Sequence, residues 1–351
     1  MGYIQLPGLA DVHVHLREPG ALQKEDFTTG TKAAIAGGYT QILDMPNNNP
    51  PTINRKNLED KKPLAKDRIY CDLGFNFGAT ADSIVFFNKV SAKTFGLKVY
   101  MSKTTGPLLV NDNEERDLIF KSWENPSPIM VHDLDETLQE AINLAKKYKR
   151  RIHVCHITTN QISMLKRAKN QGLEISSEVC PHHLFLNTND IKTLGPFGMM
   201  KPPLMSKKDQ EELWNHLDVI DMISTDHAPH TISEKEDKTS PKYGVPGLET
   251  TVPLMLSAVS KKLITLKRLT EMLSTSPKKI FGLPEQKNTH IVIDTSKKYK
   301  IGSKKLFTKC NWTPFKELMG QGNIHQVFLR GEKIYEGGKF LTKPKGIVMG
   351  R

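Results

Sequence analysis

Eight short apolar or β-branched runs recur along the chain, at residues 4–15, 39–45, 69–77, 96–101, 128–132, 151–157, 174–180 and 219–224. Polar stretches separate them, and those at 24–36, 135–148 and 160–171 carry helical periodicity. Strands that read as continuous apolar runs are buried on both faces, and their alternation with helices is the pattern of a parallel sheet. Eight such units predict an α/β fold, a (β/α)8 TIM barrel. The barrel is expected over residues 12–284. Beyond 285 the texture changes to T-H-I-V-I-D and Q-V-F-L-R-G-E-K-I-Y-E-G-G-K-F-L, which read as strands and a hairpin. Residues 1–11 and 285–351 are therefore expected to form a small β appendage. The polar, turn-rich stretch 233–247 falls where a barrel has its eighth βα-loop.

Composition narrows the setting. The net charge of +12 could serve a nucleic acid, but the lysines are scattered in short clusters with little aromatic interleaving, so a solvated basic surface is expected and no nucleic acid. No apolar stretch nears the roughly 18 residues that cross a bilayer, and the N-terminus shows no export pattern. No membrane association and a cytoplasmic location are expected. Cys71, Cys155, Cys180 and Cys310 lack C-x-x-C spacing and are read as reduced thiols.

In a barrel the chemistry gathers at the C-terminal ends of the strands. There the sequence places His13 and His15 on the first strand, Lys98 on the fourth, His132 on the fifth, His156 on the sixth and Asp226 after the eighth. An isolated H-x-H is also what a strand with satisfied core histidines looks like; the convergence of six groups is what points to a metal. Imidazole and carboxylate are ligands for Zn²⁺ or a similar ion, and open positions on two metals suit a hydrolase. A cationic lysine would be repelled there. Lys98 should be neutral and desolvated, or converted by CO₂ to an anionic carbamate that bridges two cations.

Several stretches together carry a resemblance: P-G-L-A-D-V-H-V-H-L-R-E-P-G, D-M-P-N, G-L-K-V-Y, H-V-C-H, S-E-V-C-P-H-H-L, S-T-D-H-A-P-H and G-V-P-G-L-E-T. The chain resembles, over nearly its whole length, the dihydroorotases of the amidohydrolase superfamily. It is most similar to the dihydroorotase domain of the animal multifunctional pyrimidine-synthesis enzyme, down to the late N-W-T-P-F. The resemblance implies two Zn²⁺ ions bridged by carboxylated Lys98 and hydroxide, with His13, His15 and Asp226 on the first and His132 and His156 on the second. Asp226 would be the catalytic base. Arg17, Asn47 and His230 would hold the substrate carboxylate, and the backbone of Pro246 and Gly247 its ring. Cys155 and Glu178 match positions able to take a third Zn²⁺, although strict alternation turns Cys155 away from His156, so a break at the strand end is required.

The activity so implied is the reversible cyclisation of N-carbamoyl-L-aspartate to L-dihydroorotate, the third step of pyrimidine synthesis. A homodimer and association with aspartate transcarbamoylase are the expected partners. Departures from the family pattern fall on substrate contacts: Lys201 in M-K-P-P-L replaces Arg or Asn, Thr104 and Thr105 stand where Thr and an aromatic are usual, and H-D-L replaces H-A-E after His132. Two alternatives stand beside this reading. One is another cyclic amidase, an allantoinase or hydantoinase; the other is a dihydroorotase-like scaffold without catalysis.

Overall fold

Gly8 divides the first apolar run into two strands that serve different sheets. A Cβ at this position would lie 2.3 Å from Thr40 Oγ1, so only glycine lets the chain pass. The computed structural model describes residues 2–102, 106–132 and 135–351. Before Gly8, β1 (Tyr3–Pro7) leaves the barrel; after it, β2 (Leu9–Val14) enters. The following strands are β3 (Tyr39–Asp44), β4 (Asp72–Phe75), β5 (Phe77–Gly78), β6 (Leu97–Tyr100), β7 (Ile129–His132), β8 (Ile152–Val154), β9 (Ile175–Val179) and β10 (Met222–Ile223).

All these pairings are parallel. β2, β3 and β4 form one arc, and β5 through β10 form another in the order β10-β9-β8-β7-β6-β5. Asn76 alone separates β4 from β5, which together make one stave. The ring closes where Val14 bridges His227 and the His15 amide donates to the His227 carbonyl at 2.8 Å. The eight expected strands are thus eight staves of a (β/α)8 barrel.

The helices form where the polar stretches predict them. Phe27–Ala36 starts at Asp26, which accepts from the Thr29 amide in a capping box. Asp135–Tyr148 and Thr159–Asn170 cover later strands. Among the described residues no helix is long and apolar enough to cross a membrane. The C-terminal strands β11 (His290–Lys300), β12 (Met319–Leu329), β13 (Glu332–Glu336) and β14 (Lys339–Phe340) join β1 in an antiparallel sheet of order β1-β11-β12-β13-β14. The N-terminal segment therefore completes the appendage.

One buried ion pair braces the barrel mouth. Lys61, on the helix Arg55–Ala65, is fully buried; its Nζ lies 2.5 Å from Asp44 Oδ2 and donates to Asn48 Oδ1 at 2.6 Å. The other Asp44 oxygen accepts from the Leu16 amide at 2.8 Å. Replacing Lys61 with Met leaves Asp44 buried without its cation, a change that typically costs about 3–5 kcal/mol. The urea midpoint of Lys61→Met should fall accordingly. Adding Asp44→Asn should recover part of the loss, and a midpoint equal to wild type would show that the pair carries no such weight.

Candidate active site

His13 on β2 and His15, one residue past its end, point the same way, as alternation requires. His13 Nε2 and His15 Nε2 lie 3.4 and 3.2 Å from Asp226 Oδ1, and one donor atom from each of the three falls within 4.8 Å of the others. Across the mouth, His132 Nδ1 and His156 Nε2 face each other at 2.7 Å. Lys98, fully buried on β6, lies between these groups with its Nζ 2.9 Å from Cys155 Sγ. Among the described residues it forms no ion pair with a carboxylate. These six residues line one cleft with Arg17, Asn47, Tyr100, Lys201, Ala228, Tyr243 and Gly244.

Three of the cleft residues adopt the left-handed region: Arg17 at φ 62°, His156 at 35° and Asp226 at 44°. Non-glycine residues hold such angles only where the surroundings fix them, commonly at functional sites. At His156 the turn of the backbone supplies the break that alternation demanded. It brings Cys155 and His156 to the same region, and Cys155, His13 and Glu178 also place donor atoms within 4.8 Å.

Burial sets the protonation states. It pushes the His13, His132 and His156 imidazoles below their ordinary value and His15 down to about 3, so all four present neutral nitrogen lone pairs. Burial raises the Asp226 carboxyl. Glu178 is buried too, yet His13 and His153 hold it well below the usual carboxylate range. It accepts from His13 Nδ1 through one oxygen, and His153 Nε2 lies 3.1 Å from the other. A neutral His13 donating to an ionised Glu178 keeps Nε2 turned to Asp226. Such carboxylate support is what orients a metal-binding imidazole. His15 is steadied similarly, its Nδ1 lying 2.7 Å from Asn47 Oδ1.

The candidate substrate residues divide. Arg17 donates from Nε to the Pro229 carbonyl at 3.1 Å and reaches His230 Nε2 from Nη2 at 3.2 Å. Burial and the Arg17 guanidinium hold His230 well below its ordinary value, hence neutral. Lys201 reaches the cleft with its Nζ 4.9 Å from the Tyr243 ring centroid. Pro246 and Gly247 do not line this cleft; the Gly247 amide donates to His227 Nδ1 at 3.2 Å, and Tyr243 and Gly244 form the wall instead. Thr104, Thr105 and the Asp133-Leu134 pair of H-D-L lie outside the described residues.

Sequence reasoning missed Tyr100 and Asp11, although both stand inside quoted motifs. Tyr100 lines the cleft with no partner for its hydroxyl among the described residues. Asp11, raised by burial to about 7, accepts from the His13 and Thr225 amides and so ties the first strand end to the eighth.

Four imidazoles, a carboxylate and a buried lysine at the strand ends of a (β/α)8 barrel are the layout of a barrel hydrolase with a candidate metal centre. The amidohydrolase family profile matches residues 4–334, and the chain belongs to that family. It is 41% identical to the multifunctional protein CAD of Squalus acanthias over 97% of this chain, and spans 15% of the length of that relative. It is 35% identical to the dihydroorotase of Pyrococcus furiosus over 98% of this chain and 84% of that one. Among solved structures, the L-hydantoinase of Arthrobacter aurescens superposes with a TM-score of 0.94 at 24% identity, covering 99% of this chain and 89% of that one, a likeness of fold. The inactive dihydroorotase-like domain of the Chaetomium thermophilum CAD-like multifunctional protein matches with a TM-score of 0.84 at 26% identity over all of both chains.

Proposed function

We propose that the chain is a dihydroorotase, closing N-carbamoyl-L-aspartate to L-dihydroorotate and reopening it, with two Zn²⁺ ions as cofactor. His13, His15 and Asp226 would hold one ion, His132 and His156 the other, with Lys98 as a carbamate between them. The donor set fits: the imidazoles are neutral, the His156 Nδ1 has no partner among the described residues, and Lys98 is a buried amine without a carboxylate. When bound, the ions would polarise the ring amide carbonyl and make hydroxide available near neutral pH. Asp226 takes the proton of the attacking water and returns it to the departing ring nitrogen. Arg17, Asn47 and His230 hold the ring carboxylate and orient the scissile bond. The grouping of His13, Cys155 and Glu178 supports a third ion in the same reading.

The observation that carries the reading is the Arg17–His230 pair beside the six-residue cluster. A buried guanidinium with donors to spare suits a planar carboxylate, which dihydroorotate has and a simple hydantoin lacks, while the neighbouring His230 donates from Nε2 to the Tyr243 carbonyl at 3.0 Å. The matches to curated dihydroorotases, 35% identical over most of both chains, support the same choice over a hydantoinase. Nothing in the site favours a scaffold, since all six candidate metal-site residues meet in one cleft. A homodimer, and association with other enzymes of the pathway such as aspartate transcarbamoylase, belong to this proposal; the match to a multifunctional relative supports the association.

Metal analysis of the purified protein, with assays on dihydroorotate, hydantoin and allantoin, tests it. Turnover of allantoin or hydantoin without dihydroorotate would overturn the assignment. Arg17→Lys should lower kcat/KM for dihydroorotate about 10- to 100-fold, mostly through KM, as loss of a charge-assisted bond worth about 1.5–3 kcal/mol requires. An unchanged KM would move the carboxylate contact elsewhere.

A further inference from the structure

S-E-V-C-P-H-H-L sends Glu178 to the catalytic cluster, but its other chemistry-bearing residues form a group of their own. Cys180 follows β9 directly, and His182 and His183 sit on the short helix Pro181–Phe185. All three are at most 1% exposed, and none lines the cleft. One donor atom from each lies within 4.8 Å of the others. We propose that Cys180, His182 and His183 form a separate site for one thiophilic transition-metal ion, zinc(II) or copper(I), bound by a thiolate and two imidazoles.

Two unsatisfied atoms carry the argument. His182 Nε2 and His183 Nδ1 are buried and have no hydrogen-bond partner among the described residues. Buried polar atoms are nearly always paired, and a bound cation would satisfy both nitrogens. The tautomer of His183 is already set for ligation: its Nε2 lies 3.1 Å from the Pro202 carbonyl and donates to it, which leaves the Nδ1 lone pair free. Burial also keeps both rings neutral, with His183 down at about 4.

The local geometry is unusual for a core pair. Neighbouring residues on a helix diverge, yet these two rings approach edge to face at 4.3 Å between centroids. Zinc bonds of about 2.0–2.3 Å need donor atoms closer together than 4.8 Å, so the three side chains would draw in on binding. One cysteine and two histidines suit zinc with a fourth ligand, or copper(I) with three. On binding, the Cys180 thiol releases one proton and the ion takes the sulfur lone pair. Through His183 and Pro202 such an ion would brace the segment that carries Lys201 into the cleft.

Crystals of the wild-type protein, equilibrated in turn with zinc(II) and with copper(I) under reducing conditions, should show an anomalous peak among these three residues at the edge of the bound metal. A zinc peak or a copper peak supports the site and identifies its ion; no peak at either edge overturns it. In solution, Cys180→Ser and His182→Gln should each lose one equivalent of metal while the ions of the main cleft remain. Sulfur ligation seen by X-ray absorption should persist in Cys155→Ser and weaken in Cys180→Ser. Equal metal content and equal sulfur ligation in wild type and Cys180→Ser would also overturn the site. The wild-type diffraction does not depend on how a variant folds, and neither arm depends on dihydroorotate turnover.

Discussion

Lys98→Ala is expected to lose catalysis almost entirely and to bind less metal, while keeping the barrel. The side chain rises from the middle of a parallel strand, where Lys98 pairs in register with Met130, and is fully enclosed. Among the described residues it has no carboxylate partner, and its Nζ lies 2.9 Å from Cys155 Sγ. A carbamate on the same nitrogen reverses the sign of the charge and offers two oxygens. Two divalent ions a few ångströms apart repel strongly in a buried site, and an anion between them offsets that repulsion. In the proposed centre, alanine would remove that anion and leave a gap in its place. Transition-state charge stabilisation by metals is worth several kcal/mol, so a rate loss of roughly 10³-fold or more follows. Metal content measured on folded protein, with circular dichroism to confirm the fold, checks the first half; the dihydroorotate assay checks the second. Small carboxylic acids should restore part of the turnover by occupying the gap. Full metal content at the wild-type rate would end the binuclear reading.

The barrel was legible because buried parallel strands write themselves as unbroken apolar runs, and all eight runs became staves. The one merged boundary, within 4–15, had a single glycine as its local mark. What splits that run is the pairing of Tyr3–Pro7 with residues 290–294, a contact nearly three hundred residues away. The histidines were legible for a similar reason: period-two alternation puts His13 and His15 on one side wherever the strand ends. Cys155 shows where alternation fails, because the left-handed turn at His156 is a tertiary constraint with no local mark. Lys61 was illegible for the opposite reason. In E-D-K-K-P it reads as one more solvated helix charge, and only Asp44 across the mouth makes it a buried partner. Glu25 is a comparable case, fully buried and bonded to the Thr308 hydroxyl and the Lys309 amide from the far end of the chain. The offset of Pro246 and Gly247 from the cleft wall depends on His227 capturing the Gly247 amide, which no motif spells out.

Asp226→Asn should separate holding a metal from moving a proton. The amide keeps the shape and a weak ligand oxygen, so at least one ion should remain bound. It cannot accept a proton from the attacking water. General-base contributions are typically about 10²–10⁴-fold, and kcat for ring opening should fall within that range. The pH profile adds a second reading. Ring opening needs the carboxylate form of Asp226, so the proton-accepting form is lost as pH falls through the ionisation of that carboxyl. Ring opening in the wild type should therefore rise with pH. Ring closure, which needs the proton already in place, should fall over the same interval. Carbamoyl aspartate carries one carboxylate more than dihydroorotate, so closure consumes a proton and the equilibrium itself moves toward the ring at low pH; the ratio of the two directions isolates this substrate contribution, because the enzyme's own ionisations cancel in it. In Asp226→Asn the residual rates should lose the limb that belongs to the carboxyl. A loss smaller than about tenfold, with the wild-type profile retained, would place the base on another group.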